Sequence, residues 1–298
     1  MNYHNPVLLK ESVDALDIKK DGVYVDVTFG GGGHSREILS RLGPNGRLFA
    51  FDQDPDAQNN SIDDDRFVLI AENFRHIARF LKFYKVRKVD GVLADLGVSS
   101  HQFDAAERGF STRFDADLDM RMDQKSKLSA KEVVQRYSEE RLADILFLYG
   151  ELRSARALAK TIVAARAEKE IETSFQLKEV LKRHLPKAKE HKILAQIYQA
   201  IRIEVNQELE VLKEFLSQIP DLLTQEGRLS VISYHSLEDR LVKRFIRTGL
   251  FRGEPDKDFY GNTSEPLKKL GKLIVPSAAE IKENNRARSA KLRIAILK

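Results

Sequence analysis

An α/β architecture, a parallel doubly wound sheet interrupted by a run of helices, is predicted by three features of the sequence. Short apolar runs alternate with helical segments over residues 24–93, and another such run appears at 228–234. The first run enters a helix through four consecutive glycines, Gly30 to Gly33. From Ser129 to about Gln218 the apolar spacing is helical throughout. Strands alternating with helices specify parallel pairing, and a helix-only stretch between two strands reads as an insertion.

Taken in order, residues 5–16 lead into a short amphipathic helix, and Asp21-Gly22 turns the chain into a first strand, 24–27. Past the glycines a helix starts near Ser35 and ends at Leu42-Gly43-Pro44, with Gly43 as its C-cap. The second strand is 47–51, followed by Asp52-Gln53-Asp54-Pro55, whose proline suits a first helical turn. The third is 67–70, with Asn73-Phe74 beyond its end; a helix over 77–84 leads to the fourth, 89–93. Residues 107–123 have no period, and Phe110, Phe114, Leu118, Met120 and Met122 are expected to pack and order them. Ser129 with Glu132 is a capping box for the next helix. Further helices are predicted from Ser138 to Tyr149, from Arg153 to Glu168, from Thr173 to Pro186, and as one long element from Ile193 to Ser217. A fifth strand over 228–234 opens into a helix reaching about Arg247; 251–266 reads as a mobile surface loop, and 273–275 and 292–297 as the last strands. The pattern places a discontinuous cofactor-binding domain at 1–106 and 195–298, and a helical domain at 107–194.

The chain has 298 residues, 42% of them apolar and 32% charged, enough for a sizeable core in a soluble globular protein. No apolar run approaches the roughly 20 residues of a membrane helix, and the first residues carry no basic-then-apolar signal pattern. The absence of cysteine excludes disulfides, thiolate zinc sites and thiol nucleophiles together. A cytoplasmic location is expected. Asp115, Asp117, Asp119 and Asp123 lack the glycine and terminal glutamate of a calcium loop, so no metal site is expected. The formal charge of +5 hints at a polyanionic partner. Arg240, Lys243, Arg244 and Arg247 suit a solvated helix face as well as RNA, whereas Arg286, Arg288, Lys291 and Arg293 crowd a strand.

Glycines between a strand and a helix let backbone approach a ligand and aim the first helical N–H groups at it. The Lys-Ser/Thr pair of a phosphate loop is missing, and a dinucleotide fingerprint would need Gly or Ala where Ser35 stands. Asp52, at the end of the second strand, sits where an acidic residue takes ribose hydroxyls. The site therefore suits a nucleoside. S-adenosylmethionine (AdoMet) fits, and these features alone leave both a methyltransferase and a dehydrogenase open.

Longer motifs carry a resemblance. They are His4 with Val7-Leu8-Leu9, the run from Asp26 to Ser35, Asp52-Gln53-Asp54-Pro55, and the run from Asp95 to Ser100. Glu107-Arg108-Gly109-Phe110-Ser111, the run from Leu118 to Met122, and the stretches 199–206, 233–240 and 286–290 continue the match. In this order, across essentially the whole chain, they resemble the bacterial small-subunit rRNA cytosine-N4 methyltransferases (the RsmH, or MraW, family). The resemblance implies a class I AdoMet-dependent methyltransferase, with a Rossmann-like doubly wound sheet and an inserted all-helical subdomain. It implies methylation of N4 of a cytidine in the decoding region of 16S rRNA, by a monomer or homodimer acting on rRNA or the small ribosomal subunit. It assigns AdoMet to Gly32, Gly33 and His34, to Asp52 at the ribose, Phe74 beside the adenine, Asp95 at the methionine end, and Gln102. His101 and Asn285 stand where many members have proline, and Tyr234 where phenylalanine is common.

Cytosine's exocyclic amine is a weak nucleophile, because its lone pair is delocalised into the ring. An acceptor for one N–H favours a pyramidal nitrogen, and positioning supplies much of the rest. Asp95 is the first candidate for that role, with Ser99 orienting the base or the methionine part and His235 facing the base or taking the proton. Each has a plainer alternative as a loop cap, a turn serine or a structural histidine. The Asp/Asn-Pro-Pro-Tyr/Phe motif common among amino methyltransferases is replaced by Asp95-Leu96-Gly97-Val98. Other groups must therefore supply its acceptors. Phe103, Phe110, Phe114 and Tyr234 are candidates to stack a flipped base. The helical domain and the segment 286–293 are expected to hold RNA phosphates. Two other functions are alternatives: a nucleotide-cofactor oxidoreductase, against which the failed fingerprint and the resemblance argue, and a non-catalytic RNA-binding assembly factor that kept the fold.

Overall fold

The computed structural model describes residues 6–256, 259–260 and 265–298. His4, and residues 257–258 and 261–264 of the loop expected to be mobile, lie outside them. In chain order the first elements are α1 (Leu9–Asp14), β1 (Val23–Asp26), α2 (Gly33–Arg41), β2 (Arg47–Phe51), β3 (Phe67–Ile70), α3 (Ile77–Phe83) and β4 (Val89–Asp95). Six helices follow, α4 (Ser100–Asp104), α5 (Ala130–Arg136), α6 (Glu139–Leu148), α7 (Ala155–Glu168), α8 (Ser174–Leu181) and α9 (Glu190–Asn206). The chain then runs through α10 (Glu208–Leu222), β5 (Leu223–Ser233), α11 (Ser236–Thr248), β6 (Leu267–Ile274), α12 (Ala278–Glu283) and β7 (Lys291–Leu297).

These elements form two compact units, one of residues 1–97 with 209–298 and one of residues 98–208. The sequence expectation drew the helical domain at 107–194. The second unit also takes in α4 and all of α9, because Leu194, Ile197, Ala200, Ile201 and Val205 of α9 are buried in the helical core.

In the first unit seven strands take the order β3-β2-β1-β4-β5-β7-β6. The five from β3 to β5 are parallel, while β7 is antiparallel to both of its neighbours. This is the class I methyltransferase sheet expected from the sequence. Its central strands are apolar on both faces, as a parallel sheet covered on both sides requires. Val25, Phe49, Phe51, Val92 and Val231 pack with α3, α10 and α11 on one face. Tyr24, Leu48, Ala50 and Leu93 pack with α1 and α2 on the other. Strand order reverses between β1 and β4, and the carboxyl ends of the strands at such a switch point are the usual ligand position in these sheets.

The single long helix expected over 193–217 is two helices. Gln207 takes a left-handed conformation (φ 52°) between α9 and α10. Asn206 turns back to donate to Arg202 O (2.9 Å) and Met120 O (2.8 Å), and Arg202 forks onto Glu208 at 2.8 and 2.9 Å. The break is thus built from polar side chains rather than a glycine. Strand β5 starts earlier than expected, at Leu223, which pairs with Val89 before an irregularity restores register at Gly91 and Arg228. Within 107–123, Phe110, Leu118, Met120 and Met122 are buried as expected, but Phe114 is 41% exposed.

Candidate active site

The glycine loop is fixed by its neighbours. Val27 N donates to Leu93 O (2.9 Å) and Phe29 N to Phe51 O (3.0 Å), which holds both sides of the loop to the sheet. Gly32 has φ of 75°, and a Cβ there would lie 2.7 Å from the Arg36 guanidinium and 2.8 Å from the Phe29 ring. At Gly33 a Cβ would overlap the Pro6 ring. Glycine is required at both for steric reasons. The loop's carbonyls are occupied from outside, Gly31 O by Arg36 (2.6 Å) and Gly30 O by Asn60 (3.0 Å). Helix α2 then starts at Gly33 with no side chain capping it.

Two carboxyls brace the loop. Asp26 is fully buried and accepts from Ser35 Oγ (2.7 Å) and Thr28 N (3.1 Å). Burial pushes its pKa up against those two donors. Asp52, beyond β2, accepts from Gly30 N (2.8 Å) and Asp54 N (2.9 Å). Burial pushes it up to about 6, with these backbone N–H groups opposing. It stays partly exposed at the strand end, and each oxygen keeps acceptor capacity for a further hydroxyl.

Asp95 ends β4. Its backbone N–H donates to Thr28 Oγ1 (2.6 Å), a tie across the switch point. Its Oδ1 accepts from the Tyr234 hydroxyl (2.8 Å), and its Oδ2 faces His34 Nδ1 at 3.8 Å. Burial raises it to about 6; His34 and Tyr234 oppose this, and Asp26 and Glu238 reinforce it. His34 is buried with Nε2 3.2 Å from Val7 O, and burial lowers its pKa. Tyr234 is held well above the usual phenol range, by burial first and then by Asp95, so its hydroxyl stays a donor.

The predicted site residues separate into four groups. Gly32, Gly33, His34, Asp52 and Asp95 gather along the carboxyl ends of β2, β1 and β4. Phe74 stands beyond β3, partly buried, edge-on to Phe215 with centroids 5.3 Å apart. His235 lies beyond β5, where its Nδ1 accepts from Glu238 N (3.4 Å) in a capping box for α11 and its Nε2 is 3.1 Å from Glu238 Oε1. Ser99 and Gln102 belong to the second unit and cap α4 reciprocally, Ser99 N to Gln102 Oε1 at 3.0 Å and Gln102 N to Ser99 Oγ at 3.2 Å. Sequence reasoning named Tyr234 only as a stacking candidate and passed over Thr28. Both lie beside strand ends already marked by Asp95 and Asp26, which was the signal available. Of the other stacking candidates, Phe110 is buried and Phe103 packs on the helical core. Lys291 and Arg293, expected to hold RNA, are tied to Asp239, the latter at 2.7 and 3.2 Å. Arg288 is exposed.

Among the described residues, no helix is long and apolar enough to cross a membrane. Comparison with known proteins identifies the family. The chain is 68% identical over 295 residues to a protein of Christiangramia forsetii named ribosomal RNA small subunit methyltransferase H, covering 99% of this chain and 98% of that one. Proteins of the same name from Flavobacterium johnsoniae and Bacteroides fragilis are 68% and 56% identical, each over 98% or more of this chain and 97% or more of their own. Residues 1–297 match the MraW methylase family, and the chain belongs to that family.

Proposed function

We propose that this chain transfers a methyl group from AdoMet to N4 of a cytidine in the decoding region of small-subunit rRNA. One observation carries the reading: Phe74, Asp52, the glycine loop and Asp95 stand in that order along the carboxyl ends of the adjacent strands β3, β2, β1 and β4. An elongated donor with an adenosine at one end and a charged methionine at the other fits that order. Asp52 accepts from the two ribose hydroxyls, Phe74 flanks the adenine, and the loop that cannot carry side chains admits the middle of the ligand. When bound, AdoMet supplies an electrophilic methyl on a sulfonium whose sulfur leaves as a neutral thioether. Asp95 then accepts an N–H from the cytosine amine and so favours the nucleophilic, pyramidal nitrogen. The base leaves its stack to reach it. That the substrate is rRNA follows from the names of the relatives, and the N4 position from the resemblance.

His235 orders α11 through its cap, and this keeps Tyr234 in place. The roles of Ser99 and Gln102 toward base and cofactor rest on the resemblance. The helical unit and exposed Arg288 are assigned to RNA phosphates.

Nucleoside mass spectrometry of small-subunit rRNA from a strain lacking this protein tests the proposal. N4-methylcytidine should be lost, return on complementation with the unaltered chain, and stay absent with Asp95→Asn. Its persistence in the deletion strain would overturn the assignment.

A further inference from the structure

The fate of the proton released by the amine is written in the contacts of Asp95. Val7 O is a carbonyl and can only accept, so the bond at 3.2 Å places the His34 ring proton on Nε2. Nδ1 then presents its lone pair toward Asp95 Oδ2 at 3.8 Å. Two acceptors facing each other at this distance leave a place for a proton delivered between them. The carboxyl cannot turn away, because Tyr234 donates to Oδ1 at 2.8 Å while its own backbone N–H is held by Glu238 Oε2 at 2.9 Å.

We propose that Asp95 Oδ2 and His34 Nδ1 together receive the proton lost by the methylated amine, and that Tyr234 is the positioning residue that aims the carboxyl for it. This rests on the methyl-transfer reading above. The step balances. As the N–C bond forms, nitrogen becomes cationic; one N–H bond then breaks with its electron pair remaining on nitrogen. The proton goes to Oδ2, which the Nδ1 lone pair faces, and leaves to water through the exposed part of the carboxyl, whose side chain is 22% accessible. Asp95 is therefore mostly free of this proton at neutral pH and takes it up as pH falls through about 6. Burial raises the Asp95 pKa to about 6 and lowers that of His34, so neither is filled at rest. The groups facing them are Asp26 from β1, Glu238 from α11 and Tyr234 from the end of β5. The two carboxylates raise the Asp95 pKa, and the hydroxyl lowers it.

The first test needs no substrate. Nitrogen NMR of the ligand-free full chain is read for His34, assigned among the seven histidines by His34→Gln. The ring should carry its proton on Nε2 at neutral pH, and Nδ1 should shift on acidification with a midpoint near 6, the value for Asp95. Tyr234→Phe, which keeps the ring, should raise that midpoint by about one pH unit, the effect of removing a donor to a charged acceptor. Asp95→Asn should abolish the step. An Nδ1–H tautomer, or a midpoint unmoved by Tyr234→Phe, would overturn the pairing. The second test is single-turnover tritium transfer from AdoMet to small subunits lacking the modification. The acid limb of its pH profile should move with the NMR midpoint in Tyr234→Phe. A limb that stays put while the midpoint moves would overturn the role in proton removal. Absence of transfer by the unaltered chain would instead overturn the proposed function, and the NMR result would still decide the pairing.

Discussion

At the strand ends of the sheet unit, burial pushes Asp26, Asp52 and Asp95 above the usual carboxylate range. In the helical unit the carboxylates that shift, Asp115, Asp119, Glu132, Glu172 and Glu190, all move below it. The difference is one of employment. Asp119 is buried enough to be raised, but Arg121 forks onto it at 2.6 and 2.9 Å and wins. Other donors of the unit are likewise spent on backbone: half-buried Arg166 Nη2 on Tyr137 O (2.6 Å) and buried Tyr198 on Ser174 O (3.1 Å). The helical unit uses its charges to fold. The strand ends of the sheet unit hold carboxyls whose charged form burial disfavours, and among the described residues none of the three forms an ion pair with Lys or Arg; a ligand with hydroxyl, amine and cationic groups would favour that form.

Asp95→Asn puts the greatest strain on that contrast. Methyl transfer should fall about 100- to 10,000-fold, the range for a lost proton acceptor. Stability at neutral pH should rise by about 1–2 kcal/mol. The sign follows from the raised pKa: between the unfolded value of 3.8 and about 6 the folded state holds the extra proton. The acid form's stabilisation is complete at the low end of that window and lost as pH rises through it, and asparagine mimics the acid form. Calorimetric melting beside tritium transfer checks both, and a large loss of stability would break the contrast.

Next in size, Asp52→Asn should weaken AdoMet binding about 10- to 100-fold, the worth of a hydrogen bond to a charged acceptor. The unaltered chain should release protons on binding AdoMet near pH 6, since ribose donors favour the carboxylate. Titration calorimetry in buffers of different ionisation enthalpy reads both effects.

Asp119→Asn should behave in the opposite way to Asp95→Asn. Its lowered pKa means stability present above the unfolded value and lost as pH falls through the folded one, so the variant should be less stable near neutrality; loss of the charged acceptor for Arg121 sets the scale at about 1.5–3 kcal/mol. AdoMet affinity should be unchanged. The smallest effect belongs to Arg288→Ala, which should weaken RNA binding a few-fold and lower the salt slope by about one, leaving AdoMet affinity intact. Gel-shift or anisotropy titrations over a salt series read it, and an unchanged slope would remove Arg288 from the RNA surface.

Much of the sheet was legible because a buried parallel strand writes its apolar run directly into the sequence. β2 and β3 fall where the pattern puts them. The break at Gln207 was not legible, since left-handed geometry there is bought by Asn206 and Arg202 contacts rather than signalled by glycine. At the site, glycines and strand-end carboxyls announce themselves by spacing. Partnerships do not: the hydrogen bond joining Asp95 to Tyr234 spans 139 positions and depends on β4 and β5 pairing side by side. His235 illustrates the converse, a reactive residue type at a strand end that the fold employs as a helix cap.

The most direct test of the whole account is incubation of the full chain with methyl-tritiated AdoMet and small ribosomal subunits lacking the modification, followed by nucleoside separation. The account predicts label in N4-methylcytidine, reduced at least about 100-fold by Asp95→Asn. Label in another nucleoside, or undiminished label with the asparagine variant, would contradict it.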